Sequence, residues 1–91
     1  MSVTVRIPGP LRKISNGADK VEVEGADLAG LVAALEAQFP GMKERLVDEN
    51  GELRYFVNLY LNNEDVRFLD GLKTPVSSGD EVSIVPAVAG G

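Results

Sequence analysis

Ninety-one residues, 44 % of them apolar, with a net charge of −5, make one domain with a single buried core and leave no room for a second. The chain has no cysteine and no histidine. That excludes disulfides, iron–sulfur clusters, cysteine nucleophiles and Ser-His pairs, and leaves any metal site to carboxylates alone. The nine basic residues are scattered, which argues against nucleic acid, since phosphates are bound by clustered Lys and Arg. The acidic balance serves solubility or attraction to a basic partner. No apolar run approaches the roughly 18 residues that cross a bilayer, and Met1 to Arg6 lacks the lead and core of a signal peptide. The expectation is a cytoplasmic protein with no membrane partner, no self-contained catalysis, and no metal or cofactor on the chain.

Val3, Val5 and Ile7 alternate with Thr4 and Arg6, the pattern of a strand with one buried face. Pro8-Gly9-Pro10 ends it. Asn16-Gly17 predicts a turn, because both residues tolerate positive φ, and Val21 and Val23 alternating with Lys20, Glu22 and Glu24 predict a second, antiparallel strand. Asp27 is placed to cap a helix. Leu28, Leu31, Val32, Leu35 and Phe39 share one face of it, Ala29, Ala33, Ala34 and Ala37 the other, and Pro40-Gly41 ends it. Lys43 to Val47 predicts one short helical turn, and Asn50-Gly51 a tight turn. From Leu53 to Leu61 the chain is strand-like, with Val57, Leu59 and Leu61 on the core face and Phe56, Asn58 and Tyr60 on the other. Asn62-Asn63 turns into a short segment, Glu64 to Phe68, and Asp70-Gly71 with Thr74-Pro75 predicts a loop.

Gly79-Asp80 predicts a further turn, after which Val82 and Ile84 alternate with Glu81 and Ser83 in a strand that ties the end of the chain to the sheet. Pro86 offers no ladder donor, and Ala87-Val88-Ala89-Gly90-Gly91 carries nothing bulky. A residue without Cβ enters a narrow channel, and its carboxyl carbon is open to attack from either side. An α-carboxyl titrates near pH ~3.5, so at neutral pH it is an anion and a poor electrophile until activated. The tail therefore reads as a substrate. The plain alternative is a frayed terminus, but at a glycine usage of about 7 % two terminal glycines arise in only roughly 0.5 % of chains, and the strand and Pro86 before them sharpen the signal.

Asp48-Glu49, Glu64-Asp65 and Asp80-Glu81 are acidic pairs. Adjacent residues on a strand point to opposite faces, so these read as solvated turns rather than as metal or acid–base sites. Asn16-Gly17 and Asn50-Gly51 read as turn chemistry and not as phosphate loops, since neither sits in a Gly-rich strand-to-helix context.

The order ββαβ(β)β, with the first two strands paired and the last parallel to the first in mid-sheet, predicts an α+β fold. It is that of a β-grasp (ubiquitin-like), a mixed sheet of four to five strands packed on one main helix, with residues 1–86 as the domain and 87–91 as a flexible Gly-Gly tail. With that order, the residues Phe56-Val57-Asn58, Asn62-Asn63-Glu64-Asp65-Val66-Arg67-Phe68, Gly79-Asp80-Glu81-Val82 and Pro86 to Gly91 carry a family likeness. The chain resembles the ThiS/MoaD-type ubiquitin-like sulfur-carrier proteins over its whole length. The Glu64-to-Phe68 stretch and Ala87-Val88-Ala89 bring it nearest the CysO branch, which serves cysteine biosynthesis; in the molybdopterin-synthase subunit a second proline at position 87 is more usual.

The resemblance implies that an E1-like enzyme spends ATP to adenylate the Gly91 carboxylate, and that sulfur transfer turns it into a thiocarboxylate. In the CysO branch that sulfur attacks an aminoacrylate bound to pyridoxal phosphate (PLP) on a cysteine synthase, and a JAMM-type metalloprotease frees the cysteinyl adduct. Only Gly91 changes covalently; Gly90 and Ala89 give clearance inside the partner, while Val88 and Ala87 line the mouth of its channel. Strand parity adds a docking patch of Val85, Tyr60 and Phe56 turned away from the core, against the bland reading that aromatic side chains merely fill a sheet surface. Four alternatives stay open: a small MoaD-like subunit of molybdopterin synthase, a ThiS-like thiamine carrier, a ubiquitin-like protein modifier, and a plain β-grasp interaction module.

Overall fold

In the computed structural model, which describes residues 2–86, strand β1 (Ser2–Arg6) pairs antiparallel with β2 (Lys20–Glu24), setting Val3 against Val23 and Val5 against Val21. Ile7 lies just past β1 yet stays buried, because its N–H still donates to the Asp19 carbonyl at 2.8 Å. Between the two strands a single 3-10 turn, Gly9–Leu11, tucks Leu11 into the core. Asn16 and Gly17 then take φ of 57° and 88°, the left-handed conformation their side chains permit. Ser15 is buried there, and its hydroxyl is satisfied by donating to the Ala18 carbonyl at 2.7 Å.

Helix α1 (Leu28–Gln38) starts where the Asp27 carboxylate accepts the Gly30 N–H at 2.8 Å, supplying one of the acceptors a helix end lacks. Leu28, Leu31, Val32 and Leu35 are buried, and Ala29, Ala33 and Ala37 face water. At Gly25 the chain passes so close to this helix that a Cβ would lie 2.9 Å from the Leu31 nitrogen. After Pro40, Gly41 turns at φ 101° into α2 (Met42–Leu46), whose Met42 and Leu46 are fully buried. The Glu36 carboxylate ties the two helices, accepting the Lys43 N–H at 2.9 Å and the Gly41 N–H at 3.1 Å. These two donors hold its pKa below the usual carboxylate range.

Three more strands complete the sheet: β3 (Val57–Leu61), β4 (Glu64–Asp65) and β5 (Glu81–Pro86), in the order β2-β1-β5-β3-β4. β5 lies in the middle, parallel to β1 and antiparallel to β3. Val3, Val5, Leu59, Val82 and Ile84 line one face of the sheet and close a single core with the buried faces of α1 and α2. This is the mixed, helix-backed β-grasp sheet expected from the sequence, with five strands.

Two elements differ from the expectation. The strand-like run from Leu53 yields a ladder only from Val57, because the Val57 N–H closes a turn onto the Arg54 carbonyl at 3.0 Å and puts Tyr55 and Phe56 in that turn. Among the described residues Leu53 makes an isolated bridge with Val47; strand propensity alone does not make a ladder. The Glu64-to-Phe68 stretch divides into the two residues of β4 and a 3-10 turn, Val66–Phe68, that Asp65 caps by accepting the Arg67 N–H at 2.8 Å.

Removing the α1 cap tests this account. Asp27→Ala should lower stability by about 1 kcal/mol, a melting shift of roughly 4–8 °C for a domain of this size, and Asp27→Ser should recover most of it. Thermal unfolding followed by circular dichroism measures both.

Candidate functional site

The strand that leads to the predicted tail is clamped where it begins. The Gly79 N–H donates to the Ser2 carbonyl and the Thr4 N–H to the Asp80 carbonyl, both at 3.0 Å. On the other side Asn62, at φ 51°, behaves as an extra rung: its N–H donates to the Glu81 carbonyl at 2.8 Å and its Oδ1 accepts the Glu81 N–H at 3.0 Å. The Asp80 carboxylate locks the corner, accepting the Ser77 N–H at 2.8 Å and the Asn62 Nδ2–H at 3.1 Å. Those two donors, Ser77 before Asn62, hold its pKa below the usual carboxylate range.

From there β5 runs beside β3 through the pairs Leu61 with Val82, Tyr60 with Ser83, Leu59 with Ile84, Asn58 with Val85, and Val57 with Pro86. Val82 and Ile84 are buried, so Ser83 and Val85 turn outward, and Val85 is 43 % exposed. Tyr60 shares that outer face, half-buried, one outward pair along from Asn58 and Val85. This diagonal is close enough for large side chains to touch. Parity thus brings Val85 and Tyr60 together as the sequence suggests.

Phe56 arrives differently. It lies outside β3, in the turn at the end of the strand nearest Pro86, where its ring meets Tyr55 edge-on at 5.2 Å and 86°. Its 37 % exposure therefore comes from the turn and not from strand parity, and Tyr55 beside it is 91 % exposed. Phe68, at 85 %, is a third large apolar side chain in water. Neither Tyr55 nor Phe68 belongs to the docking patch that strand parity predicts. For Phe68 the usable signal is the spacing of Val66 and Leu69, which is that of a helical turn: Val66 is fully buried, Leu69 half-buried, and Phe68 is left outside.

Ala87, Val88, Ala89, Gly90 and Gly91 lie outside the described residues. The position from which they continue is defined: Pro86, in the centre of the sheet, opposite Val57 and beside the Tyr55–Phe56 turn.

The acidic pairs hold loops. Asp48 Oδ1 accepts the N–H groups of Asn50 and Glu52 at 2.9 and 3.0 Å, and Asp65 and Asp80 act as described above. Among the described residues no group of three or more His, Cys, Asp or Glu side chains is placed to hold a metal, and no helix is long and apolar enough to cross a membrane. This geometry clamps the start of β5 and leaves Val85 and Tyr60 on the outward face of the sheet.

Comparison with known proteins identifies relatives of the chain. The chain matches the ThiS family over residues 5–91. It is 48 % identical over 93 residues to the sulfur carrier protein CysO of Mycobacterium tuberculosis, with 100 % of each chain covered. It is 32 % identical over 94 residues to the molybdopterin synthase sulfur carrier subunit of the same organism, covering 100 % of this chain and 99 % of that one. Among solved structures, a chain of the BexX/CysO complex from Amycolatopsis orientalis superposes with a TM-score of 0.93 at 46 % identity, over 98 % of this chain and 99 % of the other.

The corner at Asp80 gives a pH prediction. A carboxylate whose folded pKa is depressed contributes stability that is full above its unfolded pKa and is lost as the pH falls through the folded value. Asp80→Asn should therefore destabilise the domain at neutral pH by more than it does below the usual carboxylate range, where the two proteins converge. Urea midpoints measured across that range check the sign.

Proposed function

The chain belongs to the ThiS family, and on that premise we propose that it is a sulfur carrier for cysteine biosynthesis, a protein-bound cosubstrate and not an enzyme. The observation that carries the reading is its full-length identity to CysO, higher than its identity to the molybdopterin synthase subunit. The central strand supports it, since Pro86 is followed in sequence by Ala87-Val88-Ala89-Gly90-Gly91.

In the proposed cycle, an oxygen of the Gly91 carboxylate attacks the α-phosphorus of ATP on an E1-like enzyme and pyrophosphate leaves. A carboxylate has no leaving group of its own, and the acyl adenylate supplies one. A sulfide-level sulfur (HS−) then attacks the acyl carbon, the C–O bond to AMP breaks and AMP departs with its electron pair, and a thiocarboxylate remains. Its sulfur adds to a PLP-bound aminoacrylate on a cysteine synthase, and a JAMM-type metalloprotease releases the cysteinyl product. Gly90 and Ala89 leave clearance in the partner's channel, with Val88 and Ala87 at its mouth, and Val85, Tyr60 and Phe56 form the docking patch. ATP belongs to the activating enzyme, and the cycle runs in the cytoplasm. Residues 2–86 do the holding: the clamp at Asn62 and Asp80 and the buried Val82 and Ile84 keep the strand before the tail from shifting.

A second reading, the small subunit of molybdopterin synthase, is favoured by the relative of that name. The two separate on purification: a stable stoichiometric complex marks the subunit, transient capture marks the carrier.

Intact mass of the protein from its native cell tests the proposal. A fraction with one oxygen exchanged for sulfur is expected, and attached cysteine assigns the branch. A chain lacking Gly90-Gly91 that supports growth as well as the whole protein sinks the reading. For the patch, Val85→Asp should lower kcat/KM for tail adenylation by about tenfold or more, as expected when a charge enters a buried contact; ATP–pyrophosphate exchange measures it.

A further inference from the structure

The Glu64-to-Phe68 stretch is anchored inward by Val66, which is fully buried, and one residue later it sends Arg67 across the edge of the sheet. Asp65 spends its carboxylate on the Arg67 backbone N–H. The Arg67 side chain donates from Nη1 to Asn58 Oδ1 and from Nη2 to the Arg54 carbonyl, the latter at 2.8 Å. Asn58 is the cross-strand partner of Val85, and the Arg54 carbonyl also takes the Val57 N–H that closes the turn before β3. The guanidinium is therefore held on the outer face, beside Val85 and next to the strand end from which the tail continues.

How it is held is informative. The chain has 14 acidic side chains against nine basic ones, and Arg6, on the same face, is paired with Glu81 at 3.1 Å. Among the described residues Arg67 is bound by two neutral oxygens, and the residue is exposed. Its charge is immobilised without being neutralised. A guanidinium carries five N–H donors in a rigid fork, and two of them fix its orientation while the others remain for an acceptor. An arginine already fixed loses less side-chain entropy on binding, and arginine among aromatic and aliphatic side chains is the composition of energetically dominant interface residues.

We propose that Arg67 is a charged anchor of the docking face, pre-set by Asn58 and the Arg54 carbonyl to meet a carboxylate on the enzyme that activates the tail. This rests on the sulfur-carrier reading, and assigns to its docking face a partner surface that is acidic where it meets Arg67 and apolar where it meets Val85.

The test is adenylation of the full chain by its activating enzyme as a function of carrier concentration and of salt, with wild type beside Arg67→Gln and Arg67→Lys, all shown folded by thermal melting. Arg67→Gln should raise KM about tenfold with kcat retained, the effect of losing one partner of an interfacial charge pair, and should flatten the fall of kcat/KM with ionic strength. Arg67→Lys keeps the charge and should keep most of that salt dependence. An unchanged KM and salt slope in Arg67→Gln overturns the proposal, as does an equal loss in both variants, which marks Arg67 as a brace of the turn alone. If the wild-type tail is not adenylated at all, the carrier reading falls and this proposal with it. An active wild type with an indifferent Arg67 removes only the anchor.

Discussion

The register of β5 between β1 and β3 is the constraint on which the molecule depends. Val82 and Ile84 point into the core and Ser83 and Val85 away from it. Each buried aliphatic side chain contributes about 1.5–3 kcal/mol. A slip of one residue would expose both and drive Glu81 and Ser83 inward, where an unpaired carboxylate costs far more than any ladder hydrogen bond returns. The inner face therefore determines which side chains the outer face shows. One strand thus sets both faces of the sheet.

The acidic composition acquires a local meaning in the same way. Asp27, Glu36, Asp48, Asp65 and Asp80 each accept at least one main-chain N–H. These carboxylates fasten helix starts and loop corners, where a charged acceptor satisfies a donor that the backbone ladder leaves over. The net charge is to that extent a by-product of how the turns are built. The arginines Arg12, Arg54 and Arg67 donate to neutral oxygens, and Arg67 does so through two of its nitrogens.

Much of this was legible in the chain because its signals are local. Alternation placed β1, β2 and the ladder part of β3; Asp27 announced α1; Asn16-Gly17 announced its turn. Parity alone set Val85 and Tyr60 on one face. What escaped depends on partners distant in sequence. Nothing between Leu53 and Phe56 says that the ladder is interrupted, because the interruption is imposed by the turn onto the Arg54 carbonyl. The bonds of Arg67 join residues nine and 13 positions away, and no periodicity encodes them. The need for glycine at position 25 is equally invisible until α1 lies against it. Ala87 to Gly91, the stretch the sequence makes most prominent, owe their interest to chemistry rather than to any pattern of burial.

The parallel pairing of Thr4 with Glu81 also bears on biosynthesis. It closes the sheet with a contact spanning almost the whole chain, the kind of topology that slows folding. While residues 81–86 are still inside the ribosome, β1 and β3 have no strand between them, and the hairpin and helix already made have an unfinished sheet to cover. A half-synthesised polypeptide therefore lacks the central strand, and with it the outward Ser83 and Val85, until translation has passed Pro86.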